Sequence, residues 1–119
     1  MISLKEKVQA ALADVCGRVI YGYPRGFAGA EMICWRESEN RRHAQADAKE
    51  YLAEVNYTLD IFASGSEAAG DLLASADARM QAAGFRREAA VEQFEQDLTI
   101  SHVCARYRAL ADDKGNIYQ

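Results

Sequence analysis

The sequence predicts an α+β domain: an antiparallel sheet of four to five strands with two helices packed on one face, in the order α-β-β-β-α-β-β. Three observations lead there. Residues 54–61 alternate strictly, with Val55, Tyr57, Leu59 and Ile61 on one side and Glu54, Asn56, Thr58 and Asp60 on the other. That is the period of a strand with one buried face and one wet face. Two further segments, one near the N-terminus and one after residue 64, repeat their apolar residues at helical spacing. Every strand connection except the one through the second helix reads as a hairpin, which predicts antiparallel pairing.

The first helix is expected over residues 3–16. Ser3-Leu4-Lys5-Glu6 fits a capping box, Leu4, Val8, Ala11, Leu12 and Val15 make the buried stripe, and Gly17 suits a stop. Val19 to Tyr23 is β-branched and aromatic and ends at Pro24, so it reads as a short strand followed by a turn over 24–29. Residues 30–37 form the second strand, with Ile33 and Trp35 on one face and Met32 and Cys34 on the other. Residues 36–50 are dense in charge, and their only apolar members are Ala44, Ala46 and Ala48. This segment is read as a long charged loop, of a length often given to function. The third strand spans about 51–63.

Ser64-Gly65-Ser66-Glu67 opens the second helix, and Ala69, Leu72, Leu73, Ala76, Met80 and Ala83 face the core. Gly84 followed by Phe85 predicts a Schellman ending. Residues 85–94 and 98–110 close the chain as a hairpin, and residues 110–119 are expected to be a flexible polar tail.

At 119 residues this is a single domain, 1–119, able to build one ordinary core. The net charge of −4, with both signs interspersed, argues against a duplex-binding stripe. No apolar run approaches the roughly 20 residues of a membrane span, and the start of the chain reads as an amphipathic helix rather than a signal peptide. Cys16, Cys34 and Cys104 are odd in number and far apart, which suits free thiols in a reducing compartment.

No catalytic or metal constellation emerges. His102 and Cys104 share a strand face, but zinc needs three or four ligands and no second pair accompanies them. Neither they nor Cys34 beside Trp35 form a nucleophile with a positioned base. Gly22, Gly26 and Gly29 are not a phosphate loop. Arg106 and Arg108 lie on one face, opposite Tyr107, and are expected to pair with carboxylates on the neighbouring strand. The chain is therefore read as a non-enzyme with no cofactor and no metal.

Several weak motifs in order carry a resemblance. They are Val19-Ile20-Tyr21-Gly22-Tyr23-Pro24, the run from Tyr51 to Phe62, the helix ending Met80-Gln81-Ala82-Ala83-Gly84-Phe85-Arg86-Arg87-Glu88, and Ser101-His102-Val103-Cys104-Ala105-Arg106-Tyr107-Arg108. Together, over about residues 3–110, they resemble the tail completion proteins of phages and prophages, also called tail terminators or head–tail joining proteins. The resemblance implies a structural virion assembly protein, found in the virion and, during assembly, in the bacterial cytoplasm. It implies a ring of copies, commonly a hexamer, that ends the tail tube and docks to the head connector. Its partners would be further copies of itself, the tail-tube protein and the connector protein, with no membrane. Nucleic acid would enter only as DNA passing through the lumen. The charged segment is then expected to order at a ring or tube contact through Glu39, Arg41, Arg42, His43, Asp47, Lys49 and Glu50. Two other readings stand beside this one: a small α+β ligand-binding domain or enzyme with a pocket between helices and sheet, and, disfavoured by charge, a nucleic-acid-binding module.

Overall fold

The computed structural model describes residues 1–23, 31–46 and 49–118. In chain order the elements are α1 (Lys5–Leu12), β1 (Val19–Tyr21), β2 (Met32–Ala46), β3 (Lys49–Ser64), α2 (Ser66–Ala82), β4 (Arg86–Gln93), β5 (Ile100–Asp112) and β6 (Ile117–Tyr118). The predicted α+β class and two-helix arrangement hold. The predicted turn over 24–29 lies outside the described residues.

The sheet corrects the expectation in three ways. It has six strands in the order β1-β2-β3-β5-β4, with β6 added to β5. It is mixed rather than antiparallel: Val19 stands beside Ile33 and Tyr21 beside Trp35, so β1 runs parallel to β2. A hairpin would have paired the two strands antiparallel. Third, the charged segment is strand and not loop. β2 continues through it to Ala46 and pairs with β3 down to Ala46 beside Lys49. Ladder hydrogen bonds belong to the backbone, and a strand at the sheet's margin accepts charge on any side that faces water.

β3 is the axis of the fold. Its apolar residues Val55, Tyr57, Leu59 and Ile61 are all fully buried. They meet Leu4, Val8 and Leu12 from the N-terminal region and Ala69, Leu72, Ala76 and Met80 from α2 in one core that also takes Trp35, Phe85, Val103, Ala105 and Tyr107. Trp35, Tyr57 and Phe85 form an aromatic row, with centroids 6.2 Å and then 5.6 Å apart. Tyr57 and Tyr107 stand opposite each other on β3 and β5. Burial pushes both phenols well above the ordinary tyrosine range. Each hydroxyl is satisfied. The Tyr57 hydroxyl donates to Glu37 Oε1 at 2.9 Å and accepts the Leu4 amide at 3.1 Å, while the Tyr107 hydroxyl donates to Asp77 at 2.6 Å.

α1 is shorter than expected. Its N-cap is Leu4 with no side-chain capping bond, and the Ser3 hydroxyl instead accepts the Lys5 amide at 3.3 Å. The predicted capping box is absent: the N-cap falls one residue later, at Leu4, and the Leu4 amide is held by Tyr57. α2 ends as predicted. Phe85 N–H reaches Met80 O and Gly84 N–H reaches Gln81 O, both at 3.0 Å, which is the Schellman pair. Gly84 has φ +103°, and a Cβ there would stand 3.2 Å from Ile117.

That contact corrects the last expectation. Residues 117–118 are not a frayed tail but a strand on β5, with Ile117 beside Ala111 and Tyr118 beside Leu110. Asp112 ties the turn. Its carboxylate accepts the Asn116 side-chain amide, the Lys114 and Asn116 backbone amides and the Tyr118 hydroxyl.

Two predictions follow from this packing. Leu59→Ala should destabilise the fold by about 2–5 kcal/mol, the range for a buried leucine, read from chemical denaturation; a loss below 1 kcal/mol would mean that the site is not core. Hydrogen bonds, that from the Asn116 side chain foremost, hold the Asp112 carboxyl down to about 2. A depressed carboxyl stabilises the fold above its unfolded value of about 3.9 and loses that contribution as pH falls toward its folded value. The β6 amide signals should therefore persist at neutral pH and fade as pH drops from about 4 to about 2, and Asp112→Asn should weaken β6 at neutral pH.

Candidate interaction surface

The helices cover one face of the sheet and leave the other open. Strand register arranges the open face in rows. Met32, Phe62, His102 and Gln93 form one row, Cys34, Asp60, Cys104 and Val91 the next, and Arg36, Thr58 and Arg106 the one after that. Sequence reading took Thr58 and Asp60 for a wet face, yet Thr58 is 3% and Asp60 6% exposed. Their neighbours in these rows cover them, and Met32, Cys34 and Phe62 form a second small core with Ile20 and Ile100 packed on it.

At the centre of this face lies a charged chain that sequence reading missed. Arg36 Nη1 pairs with Asp60 Oδ2 at 2.7 Å. Asp60 Oδ1 lies 2.8 Å from His102 Nε2, and His102 Nδ1 lies 2.8 Å from Glu95 Oε1. The imidazole stacks on Phe62 with centroids 4.1 Å apart, and Arg36 lies over the Tyr23 ring at 4.5 Å. The legible signal was that Asp60 and His102 share one sheet face; the missing information was the register that makes them neighbours.

His102 thus spends both ring nitrogens on carboxylates. Among the described residues no group of three or more His, Cys, Asp or Glu side chains is set to hold a metal ion. Burial first, and the Asp60 charge second, push the Cys34 and Cys104 thiols up. A raised thiol is a poor nucleophile because the thiolate is the reactive form. The two cysteines flank Asp60 from opposite strands, about 9–10 Å apart by strand spacing, beyond the reach of a disulfide.

Further along the face the rows become ion pairs. Arg108 pairs across strands as expected, but with Glu54 at 3.0 Å and Glu88 at 3.9 Å rather than with the acidic segment at residues 92–95. Arg41 pairs with Glu39 at 2.8 Å and Glu54 at 3.8 Å. Glu54 is held below the usual carboxylate range, by the Arg108 hydrogen bond above all.

The expected contact residues are thereby placed on a β-arm. Glu39, Arg41, Arg42 and His43 are exposed on β2, with His43 at a register shift between Arg42 and Ala44. Lys49 and Glu50 open β3, and Asp47 lies outside the described residues. The structure brings Glu39 and Arg41 together. β1 covers the outer side of β2 only over Ile33 to Trp35. From residue 36 to 46 that edge has no strand partner among the described residues.

Two other surfaces stand out. A groove of about 410 Å³ runs between α2 and the β4–β5 turn, where Phe94 is 101% and Leu98 88% exposed. A cleft of about 470 Å³ between α1 and β1 is walled by Ala10, Ala13, Tyr21 and Trp35. The Trp35 indole N–H is buried with no hydrogen-bond partner, and the Tyr21 ring stands nearly perpendicular to the indole at 4.7 Å.

No family model and no curated protein matches the chain.

Arg41→Ala should leave the thermal midpoint unchanged within error. Its ion pairs are solvent-exposed and exposed pairs contribute little, so a large drop in the melting scan would show that the arm's charges hold the fold.

Proposed function

We propose that this protein is a structural assembly protein of a tailed phage or prophage. In this reading copies of it form a ring, a hexamer in the family it resembles, that ends the tail tube and joins it to the head. The observation that carries the reading is the β-arm. β2 and β3 run 15 and 16 residues, long beside the 8-residue β4, in a molecule 53 Å long and 24 Å wide. The arm presents a strand edge that has no strand partner among the described residues, and exposed charges of both signs. An open edge is a template for another chain, and mixed charges fix register and partner choice rather than supply raw affinity. The resemblance over residues 3–110 supplies the assembly context.

The ring would be read by electron microscopy of the purified protein mixed with its own tail tubes, expecting a capped tube end. Replacing residues 43–52 with Asn-Gly joins Arg42 to Ala53, which stand opposite each other, by a two-residue turn of the type that closes hairpins. The shortened protein should fold but fail to complete tails. Normal completion by the shortened protein would make the arm a passive extension and sink this reading.

A further inference from the structure

The geometry points to a pH-operated latch in which His102 holds the β4–β5 turn against the sheet when doubly protonated and releases it when neutral. This inference is independent of the assembly reading.

The argument is one of donors and acceptors. An ionised carboxylate only accepts. His102 presents one nitrogen to Asp60 Oδ1 and the other to Glu95 Oε1, each at 2.8 Å. A neutral imidazole carries one N–H, so it can serve one of the two and turns a lone pair toward the other. Only the imidazolium donates to both. Histidine is also the side chain that exchanges this proton in the neutral range.

The charge around the ring is closed in the latched state. From β3 it faces Asp60. From β2 it faces Arg36, which holds the other oxygen of Asp60, and the Cys34 thiol. On β5 its neighbours are Cys104 and, one row on, Arg106, while Gln93 on β4 stands opposite and is neutral. Of the other polar residues lining its groove, Ser66 of α2 brings no charge and Glu92 of β4 is exposed to water. Glu95 comes from the turn. With His102 protonated, the cations Arg36 and His102 match the two carboxylates they bond directly, Asp60 and Glu95. With His102 neutral, one carboxylate is left over.

Burial decides which carboxylate leaves. The Asp60 side chain is 9% exposed, sits in mid-strand and is held by Arg36. The Glu95 side chain is 34% exposed and belongs to the turn. Glu95 can reach water by moving the turn, so it is the member that lets go. The same turn carries Phe94 and Leu98, the most exposed large apolar pair of the β4–β5 hairpin. Release therefore frees an apolar tip that the latched state holds in one place.

The test is nuclear magnetic resonance of the whole chain across the His102 titration, with ring nitrogens followed directly. Backbone order parameters of residues 94–98 should stand at about 0.8 while the ring carries two protons and fall below about 0.6 once it carries one. Glu95→Gln should abolish the pH dependence, because the amide can accept from or donate to the ring. Asp60→Asn should keep the turn ordered throughout: its oxygen can accept from Arg36, its NH₂ can donate to Nε2, and neutral His102 can then give its proton to Glu95. Order parameters that stay constant while the ring loses its second proton would overturn the latch. So would a ring that keeps both protons until the protein unfolds, or a Glu95→Gln variant that retains the wild-type response.

Discussion

The fold depends on a single strand being acceptable on both faces. β3 lies between β2 and β5, and its two side-chain sets face different worlds: an apolar core under two helices, and an open face of rows and ion pairs. Its centre is the Tyr57 position, where an aromatic ring must be buried without stranding its hydroxyl. An unsatisfied buried hydroxyl costs about 1–3 kcal/mol, so the protein brings Glu37 from β2 and the Leu4 amide from the N-terminus to meet it. That one oxygen joins three parts of the chain. It also ties the residue that caps α1 to the central strand.

The open face follows a different logic. Charges there are satisfied by neighbours across strands, and Arg36, Asp60, His102 and Glu95 form a continuous line from β2 to the β4–β5 turn. Such a face needs no helix to cover it. It keeps the sheet soluble on one side while Phe62 and Met32 add a small apolar patch at one end.

Much of the architecture was legible in the sequence because it rests on local patterns. The alternation from Val55 to Ile61 located the core strand, and Gly84-Phe85 located the helix end. What was not legible depends on pairing between distant segments. Residues 37–46 lack the apolar residues of a buried strand, and their strand state comes from β3 offering a ladder. The parallel placement of β1 rests on its pairing with Ile33 to Trp35, and β6 depends on Asp112 and Ile117 finding their partners. Within the candidate surface, Glu39, Arg41, Arg42 and His43 are exposed as their charge and polarity suggested, but on a strand rather than a loop. The line through Asp60 and His102 went unseen because no spacing rule links residues 42 positions apart.

One feature of the core has a practical side. Trp35 is the chain's single tryptophan, and it lies where α1, β1 and the aromatic row meet, with Tyr21 against it and its N–H dry. Beside six tyrosines, the molecule therefore carries one indole that can be excited selectively, seated at the joint between the first helix and the sheet. Its emission reports whether that joint is closed. Light from one indole can separate events in the body of the protein from events at the arm, with no label attached.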